Sequence, residues 1–71
     1  MKTIKLGTKV KVKLAGGQYH IGEYLGSDKV FVDTHYVGVL ETSVNPNLKP
    51  KAGKKFISTF HARASKIEII G

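Results

Sequence analysis

The sequence predicts an all-β domain, a five-stranded antiparallel sheet that bends strongly enough to form a small barrel. Three observations predict this fold class. Apolar and polar residues alternate in short runs, glycines and polar clusters separate these runs, and sustained helical periodicity is nearly absent. We expect residues 1–71 to form a single domain, whose core supplies at most ~3–5 kcal/mol of net stability. A domain this small needs either a well-made core or assembly with copies of itself.

The first predicted strand covers residues 8–14, where valine and leucine alternate with lysine. Strict alternation is typical of a strand with one buried face. The opposite face carries a stripe of three lysines: Lys9, Lys11 and Lys13. Gly16-Gly17 predicts a hairpin turn, and residues 18–25 form the return strand. Gly22 within that strand predicts a bulge, a sharp bend or a close approach of two backbones.

The middle of the chain is predicted to continue as strand at residues 30–32 and again at residues 36–40. The polar residues 33–35 between them form a bend, a bulge or a short loop. Apolar aromatic residues prefer the interior, so three phenylalanines are assigned to the core: Phe31, Phe56 and Phe60.

Residues 43–55 contain both prolines, two asparagines and four lysines, and this composition predicts an exposed, basic, mobile loop. Strands at residues 56–63 and 66–70 complete the chain, with a turn at residues 64–65. Five strands in so short a chain favour a bent sheet that closes into a barrel over two flat layers. SH3-like, Sm-like and OB-type barrels are the alternatives.

The net charge of +7, from 12 Lys+Arg against 5 Asp+Glu, indicates an anionic partner. Besides the stripe on the first strand, a second group of lysines lies in the predicted loop: Lys49, Lys51, Lys54 and Lys55. Both groups are predicted to contact phosphates. The alternative is that they serve solubility and keep strand edges from aggregating.

Arg63 is the only arginine in the chain, and it lies at a predicted turn between strands. Its planar guanidinium can stack on a nucleobase or bind bidentately, which lysine cannot do. An ion pair with Asp33 or Glu68 is the alternative. Tyr36 follows His35 in an irregular stretch, where an aromatic side chain is available to stack on a base. Packing in the core or in an interface is the alternative for Tyr36.

We expect neither an enzyme nor a cofactor. The carboxylates are not closely paired in sequence, and Asp33 and His35 supply too few ligands for a metal site. The absence of cysteine excludes a disulfide scaffold. The N-terminal residues 1–6 lack the apolar region of a secretory signal, and no apolar run is long enough to span a membrane. A cytoplasmic location is therefore expected.

Three segments resemble the Sm/LSm family of RNA-binding ring proteins, which includes the Hfq-like proteins. The first, residues 10–28, is similar to the family's first two strands, with a glycine in mid-strand and an acidic residue after it. The second, residues 33–40, is similar to the Asp-x-His-Met-Asn run that precedes an apolar strand. The third, residues 62–70, is similar to the Ile-Arg-Gly motif and the closing strand. In these motifs, Val37 stands where the family has asparagine and Ala64 where it has glycine.

Either Asp28 or Asp33 could hold the acidic position of the family motif. Asp33 is preferred because His35 and Tyr36 follow it at the right offsets. This assignment requires the second strand to continue through residues 26–32 with a bulge or an insertion.

The resemblance implies a ring of about five to seven identical copies, in which the last strand of one subunit pairs with the fourth strand of the next. The ligand would be single-stranded RNA or DNA. Its phosphates would contact the lysines, and its bases would be held by Asp33, His35, Tyr36 and Arg63. Two alternatives remain open. One is a monomeric SH3-like or KOW-type barrel that binds structured RNA or a protein, and the other is a structural oligomer without a nucleic-acid role.

Overall fold

The computed structural model describes residues 4–71, which form one antiparallel sheet of five strands. The strands are β1 (Lys9–Lys13), β2 (Tyr19–Ser27), β3 (His35–Thr42), β4 (Ser58–Ala62) and β5 (Ile67–Ile69). Their order in the sheet is β4-β3-β2-β1-β5. The predicted all-β fold class is confirmed.

The sheet bends because its two edge strands are consecutive in sequence. A flat five-stranded sheet would hold β4 and β5 about 19 Å apart. The chain from Ala62 to Ile67 reaches about 17 Å when fully extended, and Ala64–Lys66 within it is coiled in a 3-10 turn. The sheet therefore curls, and the edges move toward each other. Within residues 4–71, β4 and β5 do not pair with each other, so the barrel remains open.

The core lies on the inner face of the curled sheet and consists mainly of valines. Val10 and Val12 are 0% exposed, whereas the lysines that alternate with them point to the other face. Val37 and Tyr24 join them in one cluster, against which Phe60 packs. The predicted alternation in the first strand is thus confirmed, since its two faces meet such different surroundings.

Gly22 lies where the backbones of β2 and β3 come unusually close. A Cβ atom built on Gly22 would be 2.0 Å from the carbonyl oxygen of Gly38. The pairing register also shifts between Ile21 and Gly22, as it does at a β-bulge. Only glycine fits at this position, so the predicted bulge and close approach are confirmed.

Residues 30–32 do not form a strand, and the prediction that β2 continues through them is wrong. The Asp28 Oδ1 atom accepts hydrogen bonds from the backbone N–H groups of Val30 (2.7 Å) and Phe31 (2.9 Å). This Asx-type turn occupies the backbone donors that a strand would use. Phe31 is 68% exposed, so its assignment to the core is also wrong.

The other predicted elements lie close to the observed ones. The connection between β3 and β4 covers residues 43–57 and includes the predicted basic loop. Phe56 is partly buried, with its ring over Gly38, so it packs outside the inner core. Residues 4–7 are not helical, and residues 1–3 lie outside the described residues. Within residues 4–71 no helix is long and apolar enough to cross a membrane.

Candidate nucleic-acid interface

Two connections meet at one end of the sheet, the β2–β3 loop (residues 28–34) and the β4–β5 turn (residues 63–66). They are neighbours because His35, the first residue of β3, pairs with Ala62, the last residue of β4. The Asp33 Oδ1 atom accepts a hydrogen bond of 3.1 Å from the backbone N–H of Ala64. We call these two connections together the site end.

The Asp33 carboxylate is connected to the core by a chain of hydrogen bonds. Its Oδ1 atom lies 3.2 Å from Nε2 of His35, and Nδ1 of His35 lies 2.9 Å from the hydroxyl of Tyr24. A carboxylate only accepts hydrogen bonds, so Nε2 of His35 is the donor. His35 and Tyr24 are 4% and 5% exposed. The His35 ring therefore has almost no exposed surface for the predicted contact with a base. Its hydrogen bond instead holds Asp33 in place.

Asp33 is anchored at the cost of an unfavourable backbone conformation. Its φ of 52° lies in the left-handed region, which aspartate tolerates better than most residues. The hydrogen bond from the Ala64 amide is the main cause that lowers the pKa of Asp33. Desolvation opposes it, and the hydrogen bond from His35 lowers the pKa further. The carboxylate is thus held in its charged form, where it accepts hydrogen bonds best.

Arg63 lies next to this anchor, on the exposed surface of the β4–β5 turn. Within residues 4–71 its guanidinium forms no ion pair, so the alternative pairing with Asp33 or Glu68 is not made. A cavity of about 300 Å³ opens beside it. The cavity is lined by Val32, Asp33, Thr34, His61, Ala62 and Arg63. The site end therefore combines an unpaired guanidinium with an anchored carboxylate at one cavity.

Tyr36 lies on the outer face of the sheet and is held there by two neighbours. Its hydroxyl donates a hydrogen bond to the carboxylate of Asp28, and its ring meets the edge of the His61 ring at 5.5 Å and 72°. The hydrogen bond to Asp28 raises the pKa of Tyr36. It also lowers the pKa of Asp28, with the backbone N–H groups of the Asx turn adding to that effect. The predicted stacking of Tyr36 on a base is thus limited to the part of the ring left exposed.

The lysine stripe on β1 faces carboxylates on the neighbouring strands. Lys9 is the cross-strand partner of Glu23, and Lys11 is the partner of Glu68. Opposite charges in such pairs attract each other, so part of the stripe's charge is compensated within the sheet. Lys13 has Tyr19 as its cross-strand partner.

The second group of lysines lies in the connection of residues 43–57, which we call the lysine loop. This loop leaves β3 at the end opposite to His35. Lys55 pairs with Glu23 at 3.0 Å. The remaining three form no ion pair within residues 4–71, and all are exposed: Lys49, Lys51 and Lys54. These three lysines offer their charge to a ligand, whereas Lys55 and the stripe on β1 do so only in part.

Sequence reasoning missed two contributors to the site end, Tyr24 and His61. His61 had a usable signal, because it lies two residues before Arg63 within the predicted strand of residues 56–63, and alternate residues of a strand share a face. Tyr24 had a weaker one, since a buried tyrosine hydroxyl needs a polar partner, but its partner His35 is 11 residues away. Their contact follows from the register of β2 and β3.

Comparison with known proteins returned no matching protein family, no matching curated protein and no matching solved structure. Within the part of the chain that the structure describes, no three histidine, aspartate or glutamate side chains come together as a metal site would require. The geometry of the site end is therefore the feature from which a function can be inferred.

Proposed function

We propose that this chain binds single-stranded nucleic acid at the site end, with RNA as the first ligand to test. The observation that carries the proposal is Arg63, exposed and unpaired on a turn that the hydrogen bond between Asp33 and Ala64 fixes in place. A guanidinium held on a rigid turn beside a cavity is suited to stack on an unpaired base.

The anchored carboxylate adds a second recognition group. Oδ1 of Asp33 is engaged by Ala64 and His35, whereas Oδ2 forms no hydrogen bond among the described residues. A base inserted beside Arg63 offers amino or imino N–H groups on its Watson–Crick edge, and Oδ2 can accept one of them. Arg63 then supplies stacking, and Asp33 supplies hydrogen bonding.

The phosphates of the same strand contact lysines. The chain's charge of +7 supports such contacts, and three exposed lysines of the lysine loop offer the charge least compensated by carboxylates. These contacts add affinity for any sequence, whereas the site end reads the bases.

Assembly into a homo-oligomeric ring of the Sm type is the second part of the proposal. β4 and β5 are the two edges of the open sheet, and Ile69 on β5 is 53% exposed. Exposed edges of this kind favour pairing with another chain. Pairing of β5 in one copy with β4 in the next would cover both edges and close a ring of about five to seven copies.

Fluorescence anisotropy with labelled oligouridine and oligoadenine tests the binding site. Arg63→Ala should weaken binding by about 1–3 kcal/mol per site, since it removes a stacking group. Lys66→Ala is the matched control, because it removes one positive charge from the same turn without removing the guanidinium. Equal affinities of Arg63→Ala and Lys66→Ala would exclude Arg63 as a base-contacting residue.

Light scattering tests the assembly separately from binding. A ring predicts a mass of about five to seven chains that does not change on moderate dilution. A clean monomer that still binds oligonucleotide would contradict the ring and leave the binding site intact. Such a monomer would agree with a KOW-type barrel instead.

A further inference from the structure

The β2–β3 loop presents three consecutive apolar side chains to solvent: Val30, Phe31 and Val32. They are 81%, 68% and 94% exposed, although a core lies close by. Burial of a phenylalanine side chain is favourable, so the exposure of Phe31 opposes the hydrophobic effect. We call these three residues the apolar tip.

The apolar tip is held in place by hydrogen bonds at its base. Besides the Asx turn on Asp28, the backbone N–H of Asp28 donates to the carbonyl of Thr34 at 2.8 Å and closes the loop. The Thr34 hydroxyl donates to the carbonyl of Val32 at 3.3 Å. The tip is therefore a preorganised feature, and a ligand would lose little free energy in ordering it.

Two cavities adjoin this loop and share part of their walls. The cavity beside Arg63 has a volume of about 300 Å³, and a second cavity of about 400 Å³ is lined by residues 27–33 and His35. Val32 and Asp33 line both. Two adjoining units of one ligand can therefore occupy them together.

We propose that each chain holds two consecutive nucleotides, one base at Arg63 and its neighbour stacked on Phe31. This inference rests on the proposed function and deepens it by assigning a second subsite. An exposed aromatic ring is a stacking surface for any base, and stacking tolerates all four base types. The shared wall formed by Val32 would lie between the two bases.

A nucleic acid fits the tip better than an anionic membrane does, because the tip is flanked by two carboxylates. Asp28 lies at its base and Asp33 directly after it, and hydrogen bonds lower the pKa of both. Charged carboxylates at these positions repel the phosphates of headgroups and of nucleotides alike, so the favourable contacts decide between the two ligands. The carboxylates accept hydrogen bonds from base N–H groups, which a lipid acyl chain lacks.

The chain contains no tryptophan, so Phe31→Trp gives a fluorescent reporter at a single position. The matched control is Val44→Trp, since Val44 is also an exposed apolar residue (61%) but lies in the lysine loop. On saturation with oligouridine or oligoadenine, emission from position 31 should be quenched by stacking. Emission from position 44 should change little.

A length series tests the second subsite directly. For the unmodified chain, the dinucleotide UpU should bind more tightly than uridine monophosphate by about 5- to 100-fold. Phe31→Ala should abolish most of this difference, and Phe31→Tyr should retain it. Phe31→Leu keeps an apolar side chain without an aromatic face and should behave like Phe31→Ala.

The outcomes separate this inference from the proposed function. Binding that depends on Arg63, with no quenching at position 31 and no effect of Phe31→Ala, would overturn the second subsite alone. A lack of oligonucleotide binding in every variant and in the unmodified chain would overturn both. A blue shift of the position 31 emission with vesicles of phosphatidylcholine and phosphatidylglycerol, without a response to oligonucleotide, would assign the tip to a membrane and overturn the inference.

Discussion

The site end and the lysine loop are both connections between strands, but they differ in what fixes them. In the site end, Asp28 accepts hydrogen bonds from backbone N–H groups within the β2–β3 loop, and Asp33 ties this loop to the β4–β5 turn through the N–H of Ala64. The lysine loop contains no carboxylate, and its described internal backbone hydrogen bonds are few: Leu48 to Asn45 and Lys54 to Lys51. The site end therefore holds its groups at fixed positions, whereas the lysine loop carries a high density of positive charge.

This difference separates two tasks in nucleic-acid binding. Base recognition needs groups held at defined positions, whereas phosphate attraction needs charge and tolerates variable positions. Under the proposed function, the highest density of lysine therefore does not mark the place where bases would be read. The single arginine, on an anchored turn, marks that place better.

The largest effect is expected from Tyr24→Phe, which breaks the hydrogen-bond chain beneath the site end. The change leaves Nδ1 of the buried His35 without its partner and should lower the free energy of unfolding by about 1–3 kcal/mol. Urea unfolding measures it. Tyr19→Phe is the matched control, since the Tyr19 hydroxyl makes no hydrogen bond among the described residues and the ring is 36% exposed. Equal stabilities of the two variants would show that the hydrogen bond between Tyr24 and His35 does not support Asp33.

A smaller effect is expected from removing positive charge in the lysine loop. This change should alter the salt dependence of binding and leave the base preference unchanged. The double variant Lys49→Ala, Lys51→Ala should reduce the slope of log affinity against log salt by about 1.4 for a single strand. The ratio of affinities for oligouridine and oligoadenine should stay unchanged. A salt series of anisotropy titrations measures both quantities. A changed base ratio would show that the lysine loop takes part in reading bases.

Two groups at the site end should contribute to the dependence of stability on acid pH, in addition to His20, whose pKa is lowered by burial. The folded-state pKa values of Asp33 and Asp28 are lowered, the first mainly by the Ala64 amide and the second mainly by the Tyr36 hydroxyl. Their stabilising contribution is fully present above the unfolded pKa of about 3.9 and is lost as the pH falls through the lower folded values. Urea midpoints measured downward from about pH 5 should fall in the unmodified chain and fall less in Asp33→Asn. An identical decline in both would place the acid-sensitive groups elsewhere.

The smallest effect is expected from Glu23→Gln, which breaks the ion pair between Glu23 and Lys55. The Lys55 side chain is 67% exposed, so the pair is well screened and should contribute about 0.5 kcal/mol or less to the free energy of unfolding. Urea unfolding at low and high salt measures it. A loss comparable to that of Tyr24→Phe would show that the lysine loop is fixed as firmly as the site end.

The sequence pattern correctly predicted the parts of the fold that depend mainly on neighbouring residues in the chain. The alternation around Val10 and Val12 predicted a strand with one buried face, and Gly22 predicted a close backbone approach. Residues 30–32 show where the pattern misleads. Their apolar, β-branched composition predicts a strand, but the Asp28 side chain competes for the same N–H groups and produces a turn.

The candidate site was predictable in part. The polar stretch containing Asp33 and the single Arg63 could be singled out from the sequence. Their position at one cavity depends on the pairing of β3 with β4, which brings Asp33 to Ala64, 31 positions further along the chain. The burial of His35 could not be read from the chain, because it depends on Tyr24 of another strand.

The central claim is that the site end, and not the lysine loop, reads the bases. Amide chemical shifts of ¹⁵N-labelled protein, followed during titration with a short oligouridine at moderate salt, test it most directly. We predict the largest shifts at the amides of Asp33 and Ala64, with smaller shifts in the lysine loop that fade as salt increases. Large, salt-resistant shifts confined to residues 43–57, with the amides of Asp33 and Ala64 unmoved, would contradict the account.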